Sequence, residues 1–220
     1  MAKHTIAILG GTGDLGTGLA IRWAKAGHEI VIGSRTQEKA DAAVAALKKI
    51  SPKTPARAMV NPAAAAAGDI VVLTVPFEHQ LSTLESVRTG LAGKILIDVT
   101  VPLVPPKVGT VQLPAEGSAG KRAQDFLGDT VQVVTAFQNI AAHLLQQDVV
   151  IECDVLVAGN KKDARDQVIE LVEQAGMRGF HAGPIENSAA AEALTSILIQ
   201  INRRHDISHS GIKIVGQADH

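Results

Sequence analysis

The stretch Thr5-Ile6-Ala7-Ile8-Leu9-Gly10-Gly11-Thr12-Gly13-Asp14-Leu15-Gly16 joins a short apolar run to a glycine cluster. Thr5–Leu9 reads as a buried strand, and residues 15–26 read as a helix because their apolar positions recur at helical spacing. Between them lies Gly11-x-Gly13-x-x-Gly16. The first glycine permits a tight turn, the second lets a phosphate approach the backbone, and the third lets the helix pack closely on the strand. Free N–H groups at the helix start then receive negative charge. Thr12, Asp14 and Leu15 complete this dinucleotide cradle. A nucleoside-triphosphatase loop is excluded, because it requires a lysine followed by serine or threonine.

Outward from the cradle, strands and helices alternate. Gly27 stops the first helix before a strand at Glu29–Ile32, and a helix over 36–49 ends at Ser51-Pro52-Lys53-Thr54-Pro55. A weak strand signal at 57–60 precedes Asn61-Pro62, which is expected to cap an alanine-rich helix ending at Gly68. Strands follow at Ile70–Val75 and Lys94–Val99, with a helix over 78–89 between them. This order predicts an α/β fold, a Rossmann-like, doubly wound and mainly parallel sheet. Pro102–Gly120 reads as a long structured loop serving a site or an interface. Beyond it come a helix at Lys121–Leu127, strands at Val131–Ala136 and 152–158, a second crossover at 161–175 and a long apolar helix at 187–205. That helix is expected to cover the sheet, close a cleft or join a partner subunit.

The second strand ends in Gly33-Ser34-Arg35-Thr36-Gln37-Glu38-Lys39. NAD-preferring folds commonly place an acid here, whereas an arginine accommodates the 2′-phosphate of NADP. The Ser34 hydroxyl and the Arg35 guanidinium both suit a phosphate, so NADP is expected. Lys39 adds a cation to this edge or stays a solvated helix charge, and Thr36 is placed to cap the next helix. Thr74, Val75 and Pro76 follow a strand at its ligand-facing end and are expected near the ribose or nicotinamide. Phe77 fits that role or the core equally. His79 reads as a helix-start or surface residue, and Asp98 as a residue that orients a loop.

Composition narrows the function. With 220 residues, 20% charged and a net charge of -1, the chain offers no extended basic face for nucleic acid. Aromatic content of 2% with no tyrosine argues against base-stacking platforms. A single cysteine, Cys153, excludes an intrachain disulfide framework and suits a reducing compartment. Residues 1–9 read as a first strand and no signal peptide. No apolar run reaches membrane-spanning length, so a cytoplasmic protein is expected. His205-x-x-x-His209 shares a helix face only if the helix continues, which Ser208 and Gly211 oppose, so no metal is expected.

GGTGDLG, GSRTQEK, the LTVPFEH junction, VPLVP and the terminal GIKIVG together resemble the F420H2:NADP oxidoreductases, the NADPH-dependent F420 reductases. These markers span nearly the whole chain. The resemblance implies reversible hydride transfer between deazaflavin C5 of coenzyme F420 and nicotinamide C4 of NADP, in a homodimer. It implies an NADP-binding domain at 1–145 and a small C-terminal α/β extension at 146–220 that contributes to the F420 cleft or the dimer interface. Thr12 and Gly13 fall in the family's phosphate loop, and Ser34 and Arg35 at its contacts with the extra phosphate. Ala136-Phe137-Gln138-Asn139-Ile140-Ala141 occupies the deazaflavin-side loop. Gln138 stands where the family pattern often has histidine, and Ala141 where it often has proline. Gln138, Asn139 and Ile140 are therefore the expected hydride-transfer pocket, with no acid/base residue. Two alternatives stand beside this reading: an NADP-dependent reductase of another small acceptor, and a non-catalytic dinucleotide sensor.

Overall fold

The computed structural model describes residues 3–216. In chain order the elements are β1 (Thr5–Leu9), α1 (Asp14–Lys25), β2 (Glu29–Ser34), α2 (Gln37–Ile50), β3 (Ala56–Val60), α3 (Asn61–Ala67), β4 (Ile70–Leu73), α4 (Gln80–Leu91), β5 (Ile95–Asp98), α5 (Ala119–Leu127), β6 (Gln132–Thr135), α6 (Ala142–Leu145), β7 (Val155–Gly159), α7 (Lys162–Gln174), β8 (Gly179–Gly183) and α8 (Ser188–His205). One sheet of eight strands runs β3-β2-β1-β4-β5-β6-β7-β8. All pairings are parallel except β6 with β7. The order reverses at β1, so the chain leaves β1 and β4 toward opposite faces. That divergence opens a crevice at their C-terminal ends.

Alternation along β1 builds two core layers. Ile6 and Ile8 join one cluster with Leu19 and Trp23, while Ala7 and Leu9 join the other with Leu73, Leu84 and Leu96. A strand apolar on both faces is what a sheet covered by helices on both sides requires. Trp23 of α1 is fully buried, and its indole N–H donates to the Leu171 carbonyl of α7 at 2.8 Å. Its ring meets Phe137 edge-on, with centroids 5.9 Å apart. The nucleotide-side helix is thus tied to the loop after β6.

Several local expectations change. Val60, not Asn61, occupies the N-cap position of α3, and no side chain caps that helix. Thr36 does sit at the N-cap of α2, yet its hydroxyl makes no capping bond. The strand expected from 152 begins at Val155, because Asp154 pairs instead with the C-terminal segment, its N–H donating to the Ile212 carbonyl at 2.9 Å. The short α6 and the edge strand β8 are elements that periodicity did not signal. α8 ends at His205, followed by left-handed Asp206, so His205 and His209 do not share one helix face. His209 instead packs on His143, ring centroids 4.3 Å apart.

Candidate functional site: a crevice after β1, β2 and β4 and a hollow beside α8

The turn after β1 is anchored to β2. Gly10 and Gly11 both donate their N–H groups to the Gly33 carbonyl, at 3.1 and 3.2 Å. Gly10 is left-handed, with φ of 73°, and a Cβ there would lie 2.7 Å from the Val75 side chain. Glycine is therefore required at Gly10, one residue before the first glycine of the motif. At Gly16 the requirement is closeness: a Cβ would stand 2.7 Å from the Gly11 Cα and 2.8 Å from the Thr74 hydroxyl. Gly13 holds the N-cap position of α1, and no side chain caps that helix. Its first N–H groups are left for a ligand, where the helix dipole favours an anion.

A crevice of about 270 Å³ opens over this helix start. Gly10, Thr12 and Gly13 line it from the glycine loop, Ser34, Arg35 and Lys39 from the end of β2 and the start of α2, and Thr74, Val75 and Pro76 from the loop after β4. Ser34 is buried while Arg35 and Lys39 are exposed, and neither cation pairs with a carboxylate among the described residues. The Thr74 hydroxyl donates to the Leu9 carbonyl at 2.9 Å, which fixes the far wall. Gly11 and Gly16 lie beneath this surface and do not line it. Leu15 is half-buried against the core, and Asp14 is exposed on the first turn of α1. Ala136 is fully buried. Asn61, His79, Ser82 and Thr83 also line the crevice, and sequence reasoning placed none of them there.

Gln138, Asn139 and Ile140 lie together in a second hollow of about 220 Å³, with His143, His209 and the α8 residues Thr195, Leu198 and Asn202. Phe137 has φ of 70°, so the loop turns sharply just before them. The Asn139 amide donates to the Ala191 carbonyl at 2.8 Å and to the Thr195 hydroxyl at 3.1 Å, and that hydroxyl donates to the Gln138 carbonyl at 3.0 Å. Asn139 thus clamps the loop to α8. Gln138 differs. Its Nε2 donates to the Asp98 carbonyl at 2.9 Å, and its Oε1 is buried with no partner among the described residues.

The family described as NADP oxidoreductase, coenzyme F420-dependent, matches residues 5–102. An F420-dependent NADP reductase of Methanothermobacter thermautotrophicus is 42% identical over 217 residues, covering 95% of this chain and 94% of that protein. The chain belongs to the F420-dependent NADP reductases. A second relative of that name, from Methanocaldococcus jannaschii, is 39% identical over 95% of this chain and 97% of its own length. A solved structure from Arthrobacter sp. FB24, provisionally assigned as an F420-dependent NADP reductase, superposes with a TM-score of 0.81 at 26% identity, covering 97% of this chain and all of that one.

Two acids are buried in this chain on the elements around the second hollow, Asp98 at the end of β5 and Glu192 on α8. The Asp98 carboxylate accepts from the Gln80 amide at 2.6 Å and from the Thr100 N–H at 2.8 Å, and burial raises its pKa. Asp98 therefore orients the loop after β5 through its side chain and Gln138 through its carbonyl. Glu192 of α8, 1% exposed, accepts from the Ala119 and Gly120 N–H groups at 2.6 and 3.0 Å, at the start of α5. Burial pushes its pKa up to about 8, against the pull of those two hydrogen bonds. Glu192 is a buried acid that sequence reasoning missed; its one signal was a lone carboxylate in an apolar helix.

Proposed function

We propose that the chain transfers a hydride reversibly between C5 of reduced coenzyme F420 and C4 of the nicotinamide of NADP+. The observation that carries this reading is the crevice at the sheet's switch point, where the uncapped start of α1 faces Ser34, Arg35 and Lys39. An uncapped helix start and unpaired cations fit a dinucleotide carrying an extra phosphate. When bound, the two cofactors supply the hydride-donating and hydride-accepting carbons, so the chain needs no acid/base residue of its own.

Its residues bind, orient and exclude water. Thr12 and Gly13 hold the pyrophosphate, while Ser34, Arg35 and Lys39 hold the 2′-phosphate. Thr74, Val75 and Pro76 shape the nicotinamide side. On the deazaflavin side Ile140 packs against a ring, and Gln138 or Asn139 fixes a polar edge. A glutamine in this place supplies an acceptor that does not titrate, in contrast to histidine. Residues 1–145 form the NADP-binding part, and the 146–220 extension walls the second hollow through α8. Gln138→Ala and Ile140→Ala are each expected to slow single-turnover hydride transfer about tenfold through lost alignment while leaving NADP+ affinity unchanged. Unchanged transfer in both variants would remove these residues from the pocket.

The working form is a homodimer in the cytoplasm. Val150 and Val215 are each 85% exposed, on segments joined by the Asp154–Ile212 backbone bond. Strongly exposed apolar side chains such as these favour burial against a second copy. A solution mass of one chain at all concentrations contradicts it. Among the described residues no helix is long and apolar enough to cross a membrane.

A further inference from the structure

The helix that begins at the nucleotide crevice and the helix that follows the deazaflavin-side loop are fastened to each other. α6 comes directly after Gln138–Ala141, and its His143 lines the second hollow. It lies on α1 through a glycine. Gly18 is buried in the middle of α1, and a Cβ there would overlap the Leu145 Cβ and stand 3.3 Å from the Ala142 carbonyl oxygen. One turn further on, Arg22 closes the seam: its Nε donates to the Leu145 carbonyl at 3.0 Å, and its Nη2 to the Gln147 and Val149 carbonyls at 2.8 and 3.0 Å. These carbonyls stand at and beyond the end of α6, where backbone oxygens lack intrahelical donors. From the other side the Gln146 amide donates to the carbonyl of Asp14, the first residue of α1, at 3.1 Å.

A guanidinium offers five N–H groups in one rigid plane, so it holds several carbonyls in fixed places where an ammonium cannot. A helix as short as α6 has little stability of its own, so the surface of α1 decides where it lies. Hydride transfer needs the reacting carbons within about 3–3.5 Å, and a misplacement of about 1 Å from a remote change costs up to about 100-fold. We infer that Gly18 and Arg22 are positioning residues for hydride transfer: they seat α6 on the nucleotide helix and so set the separation between nicotinamide and deazaflavin. This rests on the assignment of the crevice to NADP and of the second hollow to F420. Gly18 and Arg22 line neither of these. Their effect is therefore on alignment and not on affinity.

Single-turnover mixing of the full chain with saturating reduced F420 and NADP+ tests it in Gly18→Ala and Arg22→Lys, with the affinity for each cofactor titrated separately. Alanine is the better helix former, so Gly18→Ala keeps α1 intact while forcing α6 away by about 1 Å to an ordinary carbon–carbon separation. Arg22→Lys keeps the charge but loses the fork. The rate constant should fall about 10- to 100-fold in Gly18→Ala and about 3- to 10-fold in Arg22→Lys, with both affinities within about twofold of wild type. The rate constant reports on folded molecules alone, whereas the amplitude reports how many there are. A wild-type rate constant in either folded variant, even with a reduced amplitude, overturns the inference and leaves a structural role. A drop in cofactor affinity that accounts for the whole loss overturns it too. Should Gly18→Ala not fold, Arg22→Lys alone decides. Absence of transfer in the wild-type protein removes the F420 reading, and this inference with it.

Discussion

Arg35→Ala is expected to weaken NADP+ binding about 10- to 100-fold while changing NAD+ binding less than about twofold. The guanidinium stands at the end of β2 without a carboxylate partner among the described residues, so its charge is available to a ligand. A 2′-phosphate there gains charge-assisted hydrogen bonds, whereas NAD+ offers only a neutral hydroxyl in the same place. Because Arg35 is exposed, solvent and salt screen part of the attraction. The loss should therefore shrink as ionic strength rises. Titration of both nucleotides at two salt concentrations checks this, and equal losses for NADP+ and NAD+ would assign Arg35 to the fold and not to the phosphate.

Trp23→Ala is expected to destabilise the protein by about 3–5 kcal/mol, the range for emptying a large buried aromatic site. The indole of α1 is fully buried, bonded to α7 and packed edge-on against Phe137. The consequence reaches function, because Trp23 supports the helix whose start faces the crevice and the loop that carries Gln138. Urea unfolding followed by far-ultraviolet circular dichroism measures the effect. A loss below about 1 kcal/mol would show that the surrounding core collapses around the gap.

The nucleotide half was legible because its chemistry is local. A buried strand, a glycine loop and an amphipathic helix are adjacent in sequence, and the Ser34-Arg35 pair follows directly from where β2 ends. The alternation of elements likewise conveyed the mainly parallel sheet. Legibility declined where long-range contacts decide. β8 is a half-exposed edge strand, GFHAG, with two glycines and no run of branched residues, so it carries little periodic signal. The antiparallel step from β6 to β7 depends on how the intervening segment returns, which spacing does not encode. Asn61 resembled a helix cap, and only the register of β3 against β2 turns it toward the crevice. Gln138 and Asn139 looked interchangeable as polar residues. The contacts of α8 separate them, engaging the amide nitrogen of Asn139, while the side-chain oxygen of Gln138 is left without a partner among the described residues. Glu192 reaches α5 across the fold, a contact no window of sequence contains.

The most direct measurement mixes the purified protein with NADPH and oxidised coenzyme F420, and separately with reduced F420 and NADP+, with NADH and NAD+ as controls. Exchange of reducing equivalents in both directions, with a marked preference for the phosphorylated nucleotides, is the predicted result. Tight NADPH binding with no reduction of F420 would contradict the account and point to another acceptor or to a protein that only senses the dinucleotide.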